Sequence, residues 1–282
     1  MIRPFELPYN FDMRLIDFMD IYFENRKEDI YSIYFPPYRA DYLAAKAFIP
    51  SARTNTALIS TYPNSRNEYI EHIKYIQKYF PNQLMLLLQH PTEIIPKEAL
   101  EWYITTFGIK KFCVGNIEQA KEIKKYNSNF EITGSITMKI DKEKLEFNPE
   151  GYKYFDSFVL WFPFNRDIDA IISLPQNYKY VLFVNGGCSI LCDGSSHWYA
   201  KNYEEDQKKL LTCPAVNGMT TPETSIIIRP MDLQFFAPYI SYFKLQGREW
   251  DTQEIIKHIV MYDIDFEKQF PFINYCPDLY KK

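Results

Sequence analysis

The alternation of short and long segments constrains this chain more than any single motif. Short runs rich in β-branched and aromatic residues alternate with longer amphipathic stretches along nearly the whole sequence. The runs are FELPY (5–9), IYSIYF (30–35), LMLLLQ (84–89), KKFCVG (110–115), EITGSI (131–136), SFVLWF (157–162), YVLFVN (180–185), SIIIRP (225–230) and YFKLQG (242–247). Helical periodicity fills the gaps at 13–27, 67–80, 97–108, 117–126, 166–174 and 250–263. Such a repeat implies parallel pairing, because each crossover must carry the chain back over the sheet. About eight or nine such units over 282 residues favour a closed (β/α)8-type, TIM-like barrel, an architecture that needs about 250 residues. The phosphate cradles of open nucleotide-binding sheets, G-x-G-x-x-G after the first strand and G-x-x-x-x-G-K-[ST], do not occur. No linker rich in Gly, Ser or Pro divides the chain, so a single α/β domain is expected over 1–282, with a C-terminal tail at 264–282.

Two irregular segments, 36–66 and 186–224, interrupt the rhythm. Each follows a strand, so in a barrel each leaves from the C-terminal rim, where active sites of this architecture are built. The longest apolar runs are strand-sized, far below the ~18 residues a membrane span requires. The start, MIRPFELPYN, lacks the apolar centre of a signal peptide, and a cytoplasmic location is expected. A formal charge of −4 argues against a large nucleic-acid surface while leaving room for a small RNA contact. The 23 Tyr and 22 Phe read as core and lining mass.

Five cysteines in a chain of this length, without a signal segment, speak for free thiols or metal ligands over disulfides. Three are clustered: Cys188 and Cys192 in GGCSILCDGSSHWYA, then Cys213, with the spacing C-x3-C-x20-C. Thiolates are soft ligands that suit zinc or an iron–sulfur cluster. The spacing is not the C-x2-C pair of structural zinc knuckles, which tilts the reading toward a cluster, with zinc as the alternative. Gly186, Gly187 and Gly194 would let the backbone bend tightly around a bound group. Cys113, inside KKFCVG, reads as a packed core cysteine of a strand.

FVNGGCSILCDGSSHWYA, LLTCPAV and IIIRPMDLQFFAPYISYFKLQGREWDTQEIIKHIVMY together resemble the signature regions of the collagenase-like peptidase family, catalogued as U-thirty-two. Weaker echoes run in order through FELPYN, KKFCVGNIEQAKEI, EITGSITMKI and FVLWFPFNRDIDAI. The resemblance implies a barrel-like fold. It also implies, from the family's iron–sulfur members, a 4Fe-4S cluster supporting oxygen-independent hydroxylation, with Cys188, Cys192 and Cys213 as ligands. The chain departs from the pattern at Gln234, where the family's KDLC stretch has a cysteine, and at Asn185, where a His usually precedes Gly. Cys276, in NYCPDLYKK, is the expected fourth ligand, because a C-terminal tail can fold back across a rim without disturbing a strand.

Lys244 and Arg248 in FKLQGRE, and Arg229 and Asp232 in IIIRPMDL, stand at strand ends. They are expected above the same rim, where guanidinium groups could hold a carboxylate-bearing substrate; a structural Arg–Asp pair is the competing reading. Arg39, Asp41 and Arg53 could close over the site from the long second loop. Of the histidines, His90 at a strand end and His197 in the cysteine segment are placed to transfer protons, whereas His72 and His258 fall on helices. No H-E-x-x-H or G-x-S-x-G occurs. The cysteine cluster suggests, and the resemblance implies, an iron–sulfur protein that modifies an aromatic or base-like substrate, held against side chains such as Trp161 and Trp198. A peptidase and a non-catalytic cluster-binding accessory are the alternatives, and a related subunit is a possible partner in a hetero-oligomer.

Overall fold

The computed structural model describes residues 4–41, 61–186, 188–191, 218–248 and 250–263. Its strands are β1 (Phe5–Pro8), β2 (Ile30–Phe35), β3 (Leu84–Leu88), β4 (Lys111–Val114), β5 (Glu131–Gly134), β6 (Ser157–Val159), β7 (Lys179–Phe183) and β8 (Tyr242–Lys244). They pair in sequence order, all parallel, and β8 closes on β1. The helices α1 (Met13–Tyr22), α2 (Arg66–Tyr79), α3 (Lys97–Phe107) and α4 (Ile117–Tyr126) follow the first four strands, and Thr252–Asp263 follows the last. Their starts are set by local chemistry. The side chains of Asp12, Ser65 and Asn116 accept from backbone N–H groups of the first turns of α1, α2 and α4, and left-handed Gly108 ends α3.

Alternate strand residues face opposite sides of the wall. Leu7, Ile33, Leu86, Phe112, Ile132, Phe158, Leu182 and Phe243 point outward into the main apolar core under the helices. The inward set stacks in layers, found by stepping one residue along each strand to follow the tilt. One layer holds Glu6, Met85, Thr133 and Val181, and the layer above it, toward the C-terminal mouth, holds Tyr34, Cys113, Val159 and Lys244. Barrel interiors are ordinarily filled by branched apolar side chains; this one carries charge at its centre.

Rings and charges fill the opposite, N-terminal mouth. Tyr31 stacks on Tyr242 with ring centroids 3.6 Å apart, and Lys111 Nζ lies 3.8 Å from the Tyr31 centroid. Tyr31 donates a 2.7 Å hydrogen bond to Glu131, and Lys179 donates to Tyr242 at 3.3 Å.

The run SIIIRP does not become a barrel strand. It lies extended beside the exit of β7, joined by an isolated antiparallel bridge between Ser225 and Ser189. Ile226 and Ile228 are buried while Ile227 is exposed, so the alternation in the sequence is real but is satisfied outside the barrel. Tyr262, on the last helix, donates to Val184 O and Ile228 O at 2.8 Å each and fixes both to the rim. Among the described residues no helix is long and apolar enough to cross a membrane.

Candidate functional site at the C-terminal mouth

The exits of β7 and β8 build one side of the mouth. Asn185 lies just beyond β7, and its amide donates to Gln246 O at 3.1 Å while its Oδ1 accepts from Gln246 N at 2.7 Å. Three residues on is Cys188, a half-buried cysteine packed against the apolar cluster that includes Val159, Phe162, Phe183 and Ile226. Its carbonyl accepts from Ile226 N at 3.1 Å, and Ile190 N donates to Thr224 O at 2.7 Å. These bonds and the Ser189–Ser225 bridge tie Cys188–Ile190 to Thr224–Ile226 beside the mouth. Cys192, Cys213, Cys276, His197, Trp198 and Arg53 lie outside the described residues. Among the described residues no group of three or more His, Cys, Asp or Glu side chains could hold a metal ion.

Lys244 sits deeper than a strand-end position suggests. It is 1% exposed, ion-paired with Glu6 (0% exposed), and its ammonium lies 3.9 Å from the centroid of the Tyr34 ring. The Tyr34 hydroxyl donates to Leu245 O at 2.5 Å. Glu6 Oε1 has no hydrogen-bond partner among the described residues. Arg248 stays at the mouth, half-buried, with its guanidinium carbon 5.9 Å from the same Tyr34 ring. The structure therefore places Arg248 and Lys244 on one aromatic ring but separates them in depth. Glu6 was not among the residues singled out from the sequence. Its only signal was a carboxylate inside the otherwise uncharged run FELPY.

Cys113 shares the interior layer with Lys244. Burial pushes its thiol up to about 11, an effect that Lys244 and Arg248 oppose and Glu6 reinforces. Gln89, at the exit of β3, donates to its sulfur at 3.8 Å.

His90 follows Gln89, and its Nδ1 accepts from the backbone of Thr92 at 3.3 Å and Glu93 at 3.1 Å. Two donors aimed at Nδ1 hold the proton of the neutral ring on Nε2, and burial lowers the pKa of His90. The turn is fixed by Asn116, whose amide donates to His90 O and Glu93 O at 3.0 Å each. A Cβ at Gly115 would come within 2.3 Å of Gln89 O, so only glycine permits this approach of β4 to the turn.

The remaining charged candidates are tied to nearby groups. Arg229 donates to Asp232 at 2.6 and 3.1 Å. Asp41 pairs with Arg66 and accepts from Tyr103 at 3.0 Å, and Arg39 lies over the Tyr62 ring at 4.6 Å. His72 and His258 are on helices, as their spacing predicts.

No protein-family model and no curated protein matches the chain. Solved structures do match in fold. The U32 peptidase Mk0906 superposes with a TM-score of 0.51 at 10% identity, over 88% of this chain and 93% of that one. Two α-amylases align less well. The enzyme from Geobacillus thermoleovorans has a TM-score of 0.41 at 11% identity, over 84% of this chain and 64% of that one. The Anoxybacillus enzyme has a TM-score of 0.44 at 9% identity, over 93% of this chain and 77% of that one. At these identities the likeness is one of fold, and the fold shared with the U32 peptidase is the closed barrel described above.

Proposed function

We propose that this chain is an iron–sulfur protein that works at the C-terminal mouth of its barrel, supporting oxygen-independent hydroxylation or a related redox modification of a small aromatic or base-like substrate. The observation that carries this reading is the position of Cys188. It puts a soft thiol donor at the mouth, from the sequence cluster that also contains Cys192 and Cys213. Cys113 does not fit the same role, being sealed in the interior with its thiol pushed up by burial. Cys188, Cys192, Cys213 and Cys276 are the residues that would hold a 4Fe-4S cluster, and zinc is the rival occupant. Such a cluster, when bound, supplies one-electron chemistry.

In this reading the chain's own groups handle the substrate. Arg248 takes an anionic group by paired hydrogen bonds. His90, neutral with its proton on Nε2, offers a hydrogen bond to the substrate from that nitrogen. Tyr34, Phe183 and Trp161 exclude water from the reacting end. A second reading, a peptidase, is favoured by the fold shared with a U32 peptidase.

Anaerobic purification with iron, sulfide and zinc analysis separates the two. The proposal expects iron and sulfide in comparable amounts, with broad absorption in the visible blue. Colourless protein that carries zinc without iron after anaerobic reconstitution, or metal-free protein that cleaves gelatin peptides, would overturn it.

A further inference from the structure

Buried asparagine side chains grip the segment carrying Arg248 from both sides. From the exit of β7, Asn185 (3% exposed) satisfies both the N–H and the carbonyl of Gln246. From the exit of β1, Asn10 (2% exposed) donates to Trp250 O at 3.2 Å and to Thr252 Oγ1 at 3.1 Å. The Thr252 hydroxyl donates onward to Asp12 at 2.5 Å. Between the two grips, Gly247 takes a φ of +134°, and a Cβ there would lie 2.5 Å from the Trp250 ring. Because β7 and β1 flank β8 in the closed barrel, the grips come from the neighbouring strand on each side.

We propose that Asn185 is a positioning residue that fixes the Arg248 guanidinium over the mouth, with Asn10 as the second grip, so that the anion-binding group is preorganised by the barrel wall. The proposal rests on the reading that Arg248 meets an anionic substrate group. The residue type follows from chemistry. A carboxamide presents an acceptor and a donor side by side and so matches the N–H and C=O of one residue, whereas a carboxylate matches only the N–H. A side chain held in this way sets the backbone from which Arg248 projects, and small errors in such placement weaken binding.

Phenylglyoxal, which modifies guanidinium groups, tests the proposal when combined with peptide mapping. Arg14, whose side chain is 80% exposed, is the internal reference. In Asn185→Ala the rate of modification at Arg248 relative to Arg14 should rise by about fivefold or more, and protection of Arg248 by benzoate should be lost. Asn185→Asp keeps the acceptor for Gln246 N–H and should fall between the two; it decides alone if the alanine variant does not fold. An unchanged Arg248 to Arg14 ratio in the folded variant, even with a lower melting temperature, would overturn the proposal and leave Asn185 a purely structural residue. Benzoate protection in the wild-type protein is a separate arm. Its absence, with the ratio still rising in the variants, would sink the anion reading of Arg248 and not the positioning role.

Discussion

Glu6 and Lys244 face each other across the seam where β8 closes on β1, 238 residues apart in sequence. Both are withdrawn from water, so the pair offsets a large desolvation cost by mutual attraction and by the contact of Lys244 with Tyr34. Removing one partner leaves an uncompensated buried charge. Glu6→Leu alone should therefore lower the unfolding free energy by about 3–5 kcal/mol, while Glu6→Leu with Lys244→Met should recover most of that loss. Denaturant titration of the single and double variants checks this, and costs that simply add would contradict it. The sequence displayed both charges but not their pairing. FELPY and YFKLQG each read as a strand with one charge, and only closure of the barrel makes them neighbours. Lys244 was expected beside Arg248 at the rim because alternation identifies a strand without fixing how far its last residues stand above the interior.

At the scale of elements, the apolar periodicity located α2, α3 and α4 to within a residue of their ends. It overran α1, which stops at Tyr22 because Phe23 is the last apolar side chain to bury before the polar stretch 24–29. It also counted SIIIRP as a strand, since apolar alternation cannot distinguish a barrel strand from an extended segment packed on the rim. The packing of α2 carries a pH dependence. His72 shares a 2.7 Å hydrogen bond with Tyr9 and lies against Phe11, and burial lowers its pKa from the ordinary 6.5. As pH falls through that ordinary value the unfolded chain takes up the proton first, so the stability is present above it and is lost below it. Burial also lowers His90 and His258, which add to the same acid slope. His72→Gln should flatten the fall in stability between about pH 7 and pH 5, measured by denaturation across that range. An unchanged slope would assign it to the other two histidines.

For the whole molecule, the rhythm of runs was enough to specify a closed parallel barrel and to point at its C-terminal mouth, because closure, crossover and rim loops are consequences of one repeated unit. The placement of the candidate residues, though not their roles, was legible in part. Cys188, His90 and Arg248 sit at the strand exits assigned to them, whereas Asn185, Asn10 and Glu6 act through partners distant in sequence and left no local pattern. In the function proposed above, the mouth, and not the barrel interior, holds a thiolate-ligated cluster. Iron and sulfide content after anaerobic reconstitution of Cys188→Ala and Cys113→Ala, beside the wild-type chain, distinguishes the two locations. Cys188→Ala should lose iron or yield an air-labile cluster, since one iron is left to solvent or a weaker ligand. Cys113→Ala should keep wild-type iron and show only a packing loss of about 1 kcal/mol. Wild-type iron and air stability in Cys188→Ala, beside loss of the cluster in Cys113→Ala, would contradict it.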